Sequence, residues 1–458
     1  MRDVVGRAPV WALHVLIVGL AVHNLVMVLL WRAGVRGGAL TAIASWKELL
    51  LLAALVLVAV SRRGRLPGGL LLVDALALAF AAFVVVYGLL PQSWLGGGAT
   101  HKGVLYAARH DLLPVAGYFL GRALVLLPGD RHRLCRTVVW TAVGVAAFGL
   151  VDVYVVPLQW WRGAHGWYAD QLGLHYFGLS GLPENFVYNA GNGVVFRRLT
   201  STFLSPLATA YLLVVAIFAL SLRRRLDVAL GVLLFAAILW SHTRAALVGL
   251  VAGLLVLAAV RRSTRPLILA AVVVVVGAGF VKGYDHFAPR THFTPTELKE
   301  QQANAAAHPD VSHDPTAAGE SSTREHLSSL REGVRTVIHH PWGFGLGNAG
   351  VTAERTKVSP RAGESTYTEL GVEVGLAGAL VFVAWSLALL VELLRRAPWL
   401  AAAFTAVLVI ALQTDAIGVP WLAVVVWALA GLWVGRPGAD GVAARTPSAR
   451  TGLHARPV

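Results

Sequence analysis

Three observations predict an all-α membrane protein of about twelve transmembrane helices, with a large extracytoplasmic loop between helices 9 and 10. Apolar residues make up 57% of the 458-residue chain and charged residues 14%, with a mean hydropathy of +0.66. Soluble domains carry about a quarter charged residues. The apolar residues fall in long runs, as spanning helices require. Arginine-rich connections recur at every second gap between the runs.

A spanning helix takes about 20 mainly apolar residues. The spans are read at 10–31, 38–60, 68–90, 103–127, 134–157, 201–221, 226–241, 243–260, 266–283, 366–394, 397–413 and 415–435. Those at 226–241 and 397–413 are short, so their ends are soft. No small-residue cleavage site follows the first span, which is read as a retained helix. Six pieces result: helices 1–5 in 1–157, an extracytoplasmic loop at 158–200, helices 6–9 in 201–283, the large loop at 284–365, helices 10–12 in 366–435, and a tail at 436–458.

The connections set the orientation. SRRGR (61–65), RHRLCR (131–136), RRR (223–225), RRSTR (261–265) and RR (395–396) share one side with Arg2, Arg7 and the tail arginines 436, 445, 450 and 456. The positive-inside rule puts that side in the cytoplasm, and an even number of spans keeps both termini there. The net charge of +15 is therefore read as a topology signal. No basic, aromatic-rich soluble domain is present, which excludes nucleic acid as a partner. A single cysteine, Cys135, forms no intrachain disulfide and builds no metal site alone.

Both long loops then lie outside. In 158–200, Trp160, Trp161, Trp167 and Tyr168 suit the membrane interface. The stretch ELKEQQANAAAHPDVSHDPTAAGE (297–320) is polar, lacks large apolar residues and is expected to be mobile. After it, Leu327, Leu330, Val334, Val337 and Ile338 recur at helical spacing. They predict an amphipathic helix across the outer mouth of the bundle, with Ser321, Ser322 or Thr323 at its start. Pro341 ends it. Gly345, Gly347 and Gly350 then spell G-x-G-x-x-G, the dinucleotide fingerprint. That fingerprint needs a strand before it and a helix opening at it, and neither is predicted. The glycines are read as a close-approach turn.

Ionisable residues inside spans are costly and face a bundle interior or a wet cavity. Here they gather at the outer boundary: Lys47 and Glu48, Arg109 to Asp111, Asp152, His242 and Arg244, Glu369 and Glu373, and Asp415. Asp74 and Arg122, nearer the inner face, are exceptions. A conduction path would string such groups across the bilayer. A polar bowl at one face suits an amphiphile with its head at the outer surface, and guanidinium groups suit phosphate oxygens. The plainer alternative is that Lys47 pairs with Glu48 and Arg109 with Asp111 or Glu48. Arg244 sits in a hairpin almost without polar company, which that alternative does not explain.

Three stretches together resemble the O-antigen ligase and polymerase family of bacterial membrane glycosyltransferases. RRLTSTFLSPLATAYLL (197–213) is similar to the family's Thr-Phe-x-x-Pro span start, and SHTRAALVGLVAGLL (241–255) to its Arg hairpin. STREHLSSLREGVRTVIHHPWGFGLGN (322–348) with ESTYTELGVEVGLAGAL (364–380) resembles the arginine-led helix, the His-Pro-x-x-Gly-x-Gly turn and the next span's entry. The resemblance implies a GT-C-like fold in the cytoplasmic membrane of a bacterium. It implies transfer, on the outer face and without a metal or cofactor, from a polyprenyl-diphosphate-linked glycan donor to a glycan or lipid-linked acceptor.

By the same resemblance Arg244 and Arg324 are catalytic and hold the diphosphate, with Arg198 a weaker third. Lys47, Arg109 and His242 complete the candidate substrate-binding set. Many ligases place a His-Asn pair just before span 10, its histidine activating the acceptor hydroxyl. Here that place reads Glu364-Ser365-Thr366. Glu364 is the candidate catalytic base, with His339, His340 and His242 as alternatives; His339 and His340 equally serve to close a helix end. This departure points away from lipid A-type ligation, toward a polymerase or a ligase for another cell-wall glycan. The rival readings are a lipid-linked glycan flippase or transporter, and a non-catalytic scaffold of a synthesis complex.

Overall fold

The computed structural model describes residues 2–168, 186–189, 194–222, 227–292, 295–307 and 320–434. The arginines at 223–225, the tail at 436–458 and parts of both external loops fall outside these. A helix occupies each apolar run. In order they are α1 (Arg2–Arg32), α2 (Gly37–Ala44), α3 (Trp46–Arg62), α4 (Leu72–Leu89), α5 (His101–Ala123), α6 (Asp130–Val155), α7 (Pro206–Leu220), α8 (Val228–Trp240), α9 (Arg244–Arg261) and α10 (Arg265–Lys282). The external α11 (Pro295–Ala307), α12 (Ser321–His339) and α13 (Gly350–Arg355) precede α14 (Thr366–Arg396), α15 (Pro398–Ile410) and α16 (Leu422–Gly431).

The protein is a predominantly helical, multi-pass membrane protein. Among the described residues, seven segments are long and apolar enough to cross a bilayer: α1, the α2–α3 pair, α4, α6, α9, α10 and α14. The apolar helices α7, α8, α15 and α16 are shorter. At about 1.5 Å per residue a 13-residue helix is ~20 Å long, less than the roughly 30 Å hydrocarbon core. Three of these short helices form the centre. All of α16 is buried, as is all of α7 except Leu207 and Ile217, and most of α15. Lipid-facing surface comes from the outer helices, where Leu49, Leu52, Val56 and Val60 of α3 and Ile268, Val272 and Val275 of α10 are exposed.

Small residues let the central helices touch. On α9, a Cβ at Gly249 would lie 3.0 Å from the Ala406 carbonyl oxygen of α15, and one at Gly253 would lie 2.5 Å from that of Ala402. On α5, a Cβ at Gly117 would lie 2.5 Å from the Val424 carbonyl oxygen of α16, and one at Gly121 would overlap the Ala428 carbonyl. Both pairs are G-x-x-x-G, the spacing that puts two glycines on one helix face.

Two of the inner polar residues are accounted for by each other. Arg122 and Asp74 are fully buried and paired at 3.0 Å, Tyr118 donates to Asp74 at 2.6 Å, and Arg122 also reaches the carbonyls of Pro67 and Gly69. This closed network satisfies the charges on the spot, as burial requires. Asp152 likewise pairs with Arg197 at 3.0 Å and accepts from Trp161 at 2.9 Å.

Two features outside the bundle add to the sequence reading. Val187–Asn189 (β1), Val194–Arg197 (β2) and Arg290–His292 (β3) form an antiparallel sheet in the order β1-β2-β3, with Tyr188 opposite Phe196 and Val195 opposite Thr291. The predominantly helical fold thus carries a small sheet that ties the two loops together. Residues 295–307, which include the start of the polar 297–320 stretch, form helix α11. Its Ala, Gln, Glu and Lys content favours helix, and proline is tolerated at a first helical position. The rest of that polar stretch, 308–319, lies outside the described residues.

Candidate active site

The hairpin between α8 and α9 is the first component. It turns within Ser241, His242 and Thr243, with His242 in the left-handed region at φ 49°. Arg198 braces it from the segment after β2. Its Nε donates to the Ser241 carbonyl at 2.9 Å, and its Nη2 to the His242 carbonyl and Thr243 Oγ1 at 3.3 Å. These carbonyls end α8, where a cation is electrostatically favoured. Burial pushes Arg198 down to about 10, so it stays charged at neutral pH. The His242 ring is packed between Tyr188 and Tyr284 at centroid distances of 4.2 and 4.3 Å. Burial first, then the charges of Arg198 and Arg244, push its pKa down to about 3. It is a neutral wedge that fixes the turn.

Arg244, the first residue of α9, reaches the N-terminus of α12. Its Nη1 lies 2.9 Å from Glu320 Oε2 and 3.3 Å from Thr323 Oγ1. Glu320 is the N-cap of α12: the Thr323 amide and hydroxyl both donate to its Oε2 at 2.9 Å. Burial raises the Glu320 pKa, but Arg244 and the Thr323 hydrogen bonds outweigh it and hold the carboxyl below its ordinary range. Arg324 is exposed in the first turn of the same helix. A cation there opposes the helix dipole, whereas an anion between Arg244, Arg324 and the helix start would be favoured by all three.

The third component joins α12 to the entry of α14. His326 Nδ1 lies 2.6 Å from Glu364 Oε2. Glu364 holds φ 67°, a left-handed conformation uncommon for a non-glycine residue. The segment after it is pinned to the turn beyond α15. Ser365 Oγ donates to the Ala411 carbonyl at 3.2 Å, and the Thr366 amide to the same carbonyl at 3.1 Å. The hydrogen bond to Glu364 raises the His326 pKa, against burial and the charge of Arg244.

His326 was missing from the sequence reading. It sits 38 residues from Glu364, and nothing local marks it. The histidines that were considered lie elsewhere. His339 meets the Arg335 carbonyl in the last turn of α12 at 2.8 Å, and His340 stacks on Phe344 at 4.1 Å. Thirteen residues along the helix axis put His339 about 20 Å from His326. Neither pairs with Glu364, whose partner is His326.

The glycine turn fits a break in α14. Val374 and Gly375 leave helical geometry there, with Gly375 at φ 71°. The backbone groups freed by the break are taken by the turn: the Phe344 amide donates to the Val372 carbonyl at 2.6 Å, and the Leu376 amide to the Pro341 carbonyl at 2.8 Å. A Cβ at Gly343 would lie 2.7 Å from the Val372 oxygen. The Gly347 amide donates to Glu373 at 2.9 Å, and Asn348 ties the turn to Gln92 and Gly98 at 2.8 Å each. G-x-G-x-x-G here serves close approach of backbones, not a nucleotide cradle.

Residues 229–383, from within α8 into α14, match the family model for O-antigen ligase. Over that stretch the chain is similar to the O-antigen ligase family. No curated protein matches the sequence. The family implies ligase- or polymerase-type processing of glycans at a membrane, and hence an enzyme. The matched region contains Arg244 and Glu320, which pair with each other, Arg324, and His326 and Glu364, which pair with each other. Arg198, which braces the hairpin before α9, precedes it.

Lys47 and Arg109 also lie outside the O-antigen ligase region, and they converge on Glu48. Lys47 Nζ is 3.5 Å and Arg109 Nη1 3.3 Å from Glu48 Oε1; Lys47 also donates to the Ala44 carbonyl at 2.8 Å. Nearby, His110 bridges Asp111 and Asp415, 2.8 Å from each. Ligand atoms of His110, Asp111 and Glu373 lie within 4.8 Å of one another, a spacing that fits a metal ion. Both nitrogens of His110 already face carboxylates, so the arrangement serves first as a rivet between α5, α14 and the turn before α16.

Proposed function

We propose that this protein is a membrane glycosyltransferase that polymerises or ligates cell-surface polysaccharide. It takes a polyprenyl-diphosphate-linked donor on the outer face of a bacterial cytoplasmic membrane. In this reading about twelve helices cross the membrane in a GT-C-like arrangement, both termini are cytoplasmic, and the 284–365 loop is the lid that admits the acceptor.

One observation carries the reading. Arg244 from the hairpin and the first turns of α12 bring an anion site beside a carboxylate-bearing group, Glu364, at the entry of α14. Glycosyl transfer from a lipid diphosphate needs these two capabilities. Arg244 and Arg324 bind the diphosphate and stabilise the charge that develops on it as the glycosidic carbon leaves. Arg198 holds the hairpin that aims Arg244. Glu364 marks the acceptor side, where a hydroxyl must lose its proton. Lys47, Arg109 and Glu48 form a separate polar patch that a glycan can line.

The break in α14 favours a second reading, transport, because transporters build solute sites at discontinuous helices. Here the freed Val372 carbonyl and Leu376 amide are bonded to the protein's own turn. They are satisfied within the protein, and Asp74 and Arg122 are spent on each other.

Reconstituted vesicles loaded with lipid-linked glycan separate the readings. A new glycosidic product that disappears in Arg244→Lys supports the transferase; movement of the lipid-linked glycan between leaflets, with no product, supports the transporter.

A further inference from the structure

We infer that the proton acceptor for the incoming hydroxyl is the imidazole of His326, and that Glu364 acts through it as a positioning residue. This rests on the glycosyl-transfer reading and adds to it a residue on α12.

The geometry separates the two groups. His326 Nδ1 is held by Glu364 Oε2 at 2.6 Å, so in the neutral ring that nitrogen carries the hydrogen and donates it. The opposite nitrogen, Nε2, makes no hydrogen bond among the described residues, and the side chain is 41% exposed. Its lone pair is open to an incoming group. Glu364, by contrast, has one oxygen committed to the ring and a backbone held in the left-handed region. A carboxylate that fixes the tautomer and orientation of a histidine is a recurring arrangement of general-base catalysis. His326 also shares α12 with Arg324, two residues away, and with Glu320, which contacts Arg244. One helix therefore carries the diphosphate contact Arg324 and the base, so ordering α12 on the donor would place the base as well.

The step balances without a further reactant. The acceptor hydroxyl oxygen attacks the anomeric carbon of the donor glycan, forming the new glycosidic bond. The bond from that carbon to the diphosphate oxygen breaks, and its electron pair stays on the polyprenyl diphosphate. The hydroxyl proton passes to Nε2 of His326 and then to water. The charged groups around the ring are Glu364 from the segment before α14, Arg244 from α9 and Glu325 of α12 itself.

The test uses the full chain in proteoliposomes, with lipid-linked glycan extracted from cells that lack the protein, and inorganic pyrophosphate as the binding probe. His326→Gln should lower kcat by about 100-fold or more, within the range general bases contribute. Pyrophosphate affinity should remain within a few-fold of the parent. Glu364→Gln should lower kcat and move the acid limb of the pH–rate profile to lower pH, and Glu364→Asp should recover part of both. His339→Gln, at the far end of α12, should leave the rate unchanged. A His326→Gln enzyme that keeps its rate and its acid limb overturns the dyad while leaving the glycosyltransferase standing. A parent protein that makes no glycosidic product overturns both.

Discussion

Arg244 and Glu320 are joined at 2.9 Å, and Glu320 is at once the partner of that arginine and the N-cap of α12. A carboxylate therefore occupies the place on Arg244 where a phosphate oxygen would bind. If Arg244 binds a donor phosphate, that phosphate displaces Glu320 and takes its place at the start of the helix that carries Arg324 and His326. Glu320→Gln should tighten inorganic pyrophosphate binding by about tenfold, equivalent to ~1.4 kcal/mol. Calorimetric titration at low salt measures this. Unchanged or weaker binding would show that Glu320 does not compete for the site.

Arg244→Lys keeps the charge and loses the planar fork. If the arginine grips a diphosphate in the transition state, product formation should fall by about 100-fold, the usual loss when one such donor is removed. Glycan length or ligated product in cells gives the readout, normalised to the protein's abundance in the membrane. Full product at normal abundance sinks the assignment.

The His326 pKa is raised by Glu364, and the working base is the neutral ring. Activity should therefore be present at high pH and lost as pH falls through the raised value, placing the acid limb above 6.5, the ordinary histidine value. Glu364→Gln removes the cause and should bring the limb down toward that value. A limb set by an unpaired carboxylate would instead lie near pH 4, and initial rates between pH 4 and 9 distinguish the cases.

Gly253→Val should destabilise the bundle without touching the site. A side chain there meets the Ala402 carbonyl and the Phe218 ring, and overpacking of this kind costs about 1–3 kcal/mol. Thermal unfolding in detergent, followed by tryptophan fluorescence, should show a lower midpoint. An unshifted midpoint would mean that α9 and α15 can separate at little cost.

Gly375→Ala tests the break in α14. Its φ of 71° is strained for any residue with a Cβ, and the added atom would lie 2.8 Å from Tyr87 Oη and 2.9 Å from the Pro341 carbonyl oxygen. The left-handed strain alone costs roughly 1–2 kcal/mol. Faster proteolysis within the 341–350 turn, compared with the parent, is the expected signature.

Much of the fold could be read along the chain because membrane crossing is a local demand. Each apolar run, such as that around Leu51–Val58 or Val272–Val276, meets it alone, and each carries a helix. The amphipathic helix at Ser321–His339 was equally legible, since its apolar spacing lies within one segment. The sheet was not: VYN, VVFR and RTH are three- and four-residue strands whose pairing joins segments about a hundred residues apart. Of the site, Arg244 stood out as a charge with no local explanation. His326 did not, because an exposed histidine on a polar helix face has no signature until its partner is known.

The sequence by itself determined that this is a helical membrane protein and that residues 197–385 resemble an O-antigen ligase. These follow from hydropathy, charge and short motifs, all properties of contiguous residues. Only the tertiary structure decided that Glu320 covers Arg244, that His326 meets Glu364, and that the glycine turn fills a broken helix. Those pairings depend on where distant segments stop and turn, and burial of unpaired polar groups is too costly for them to stop anywhere else.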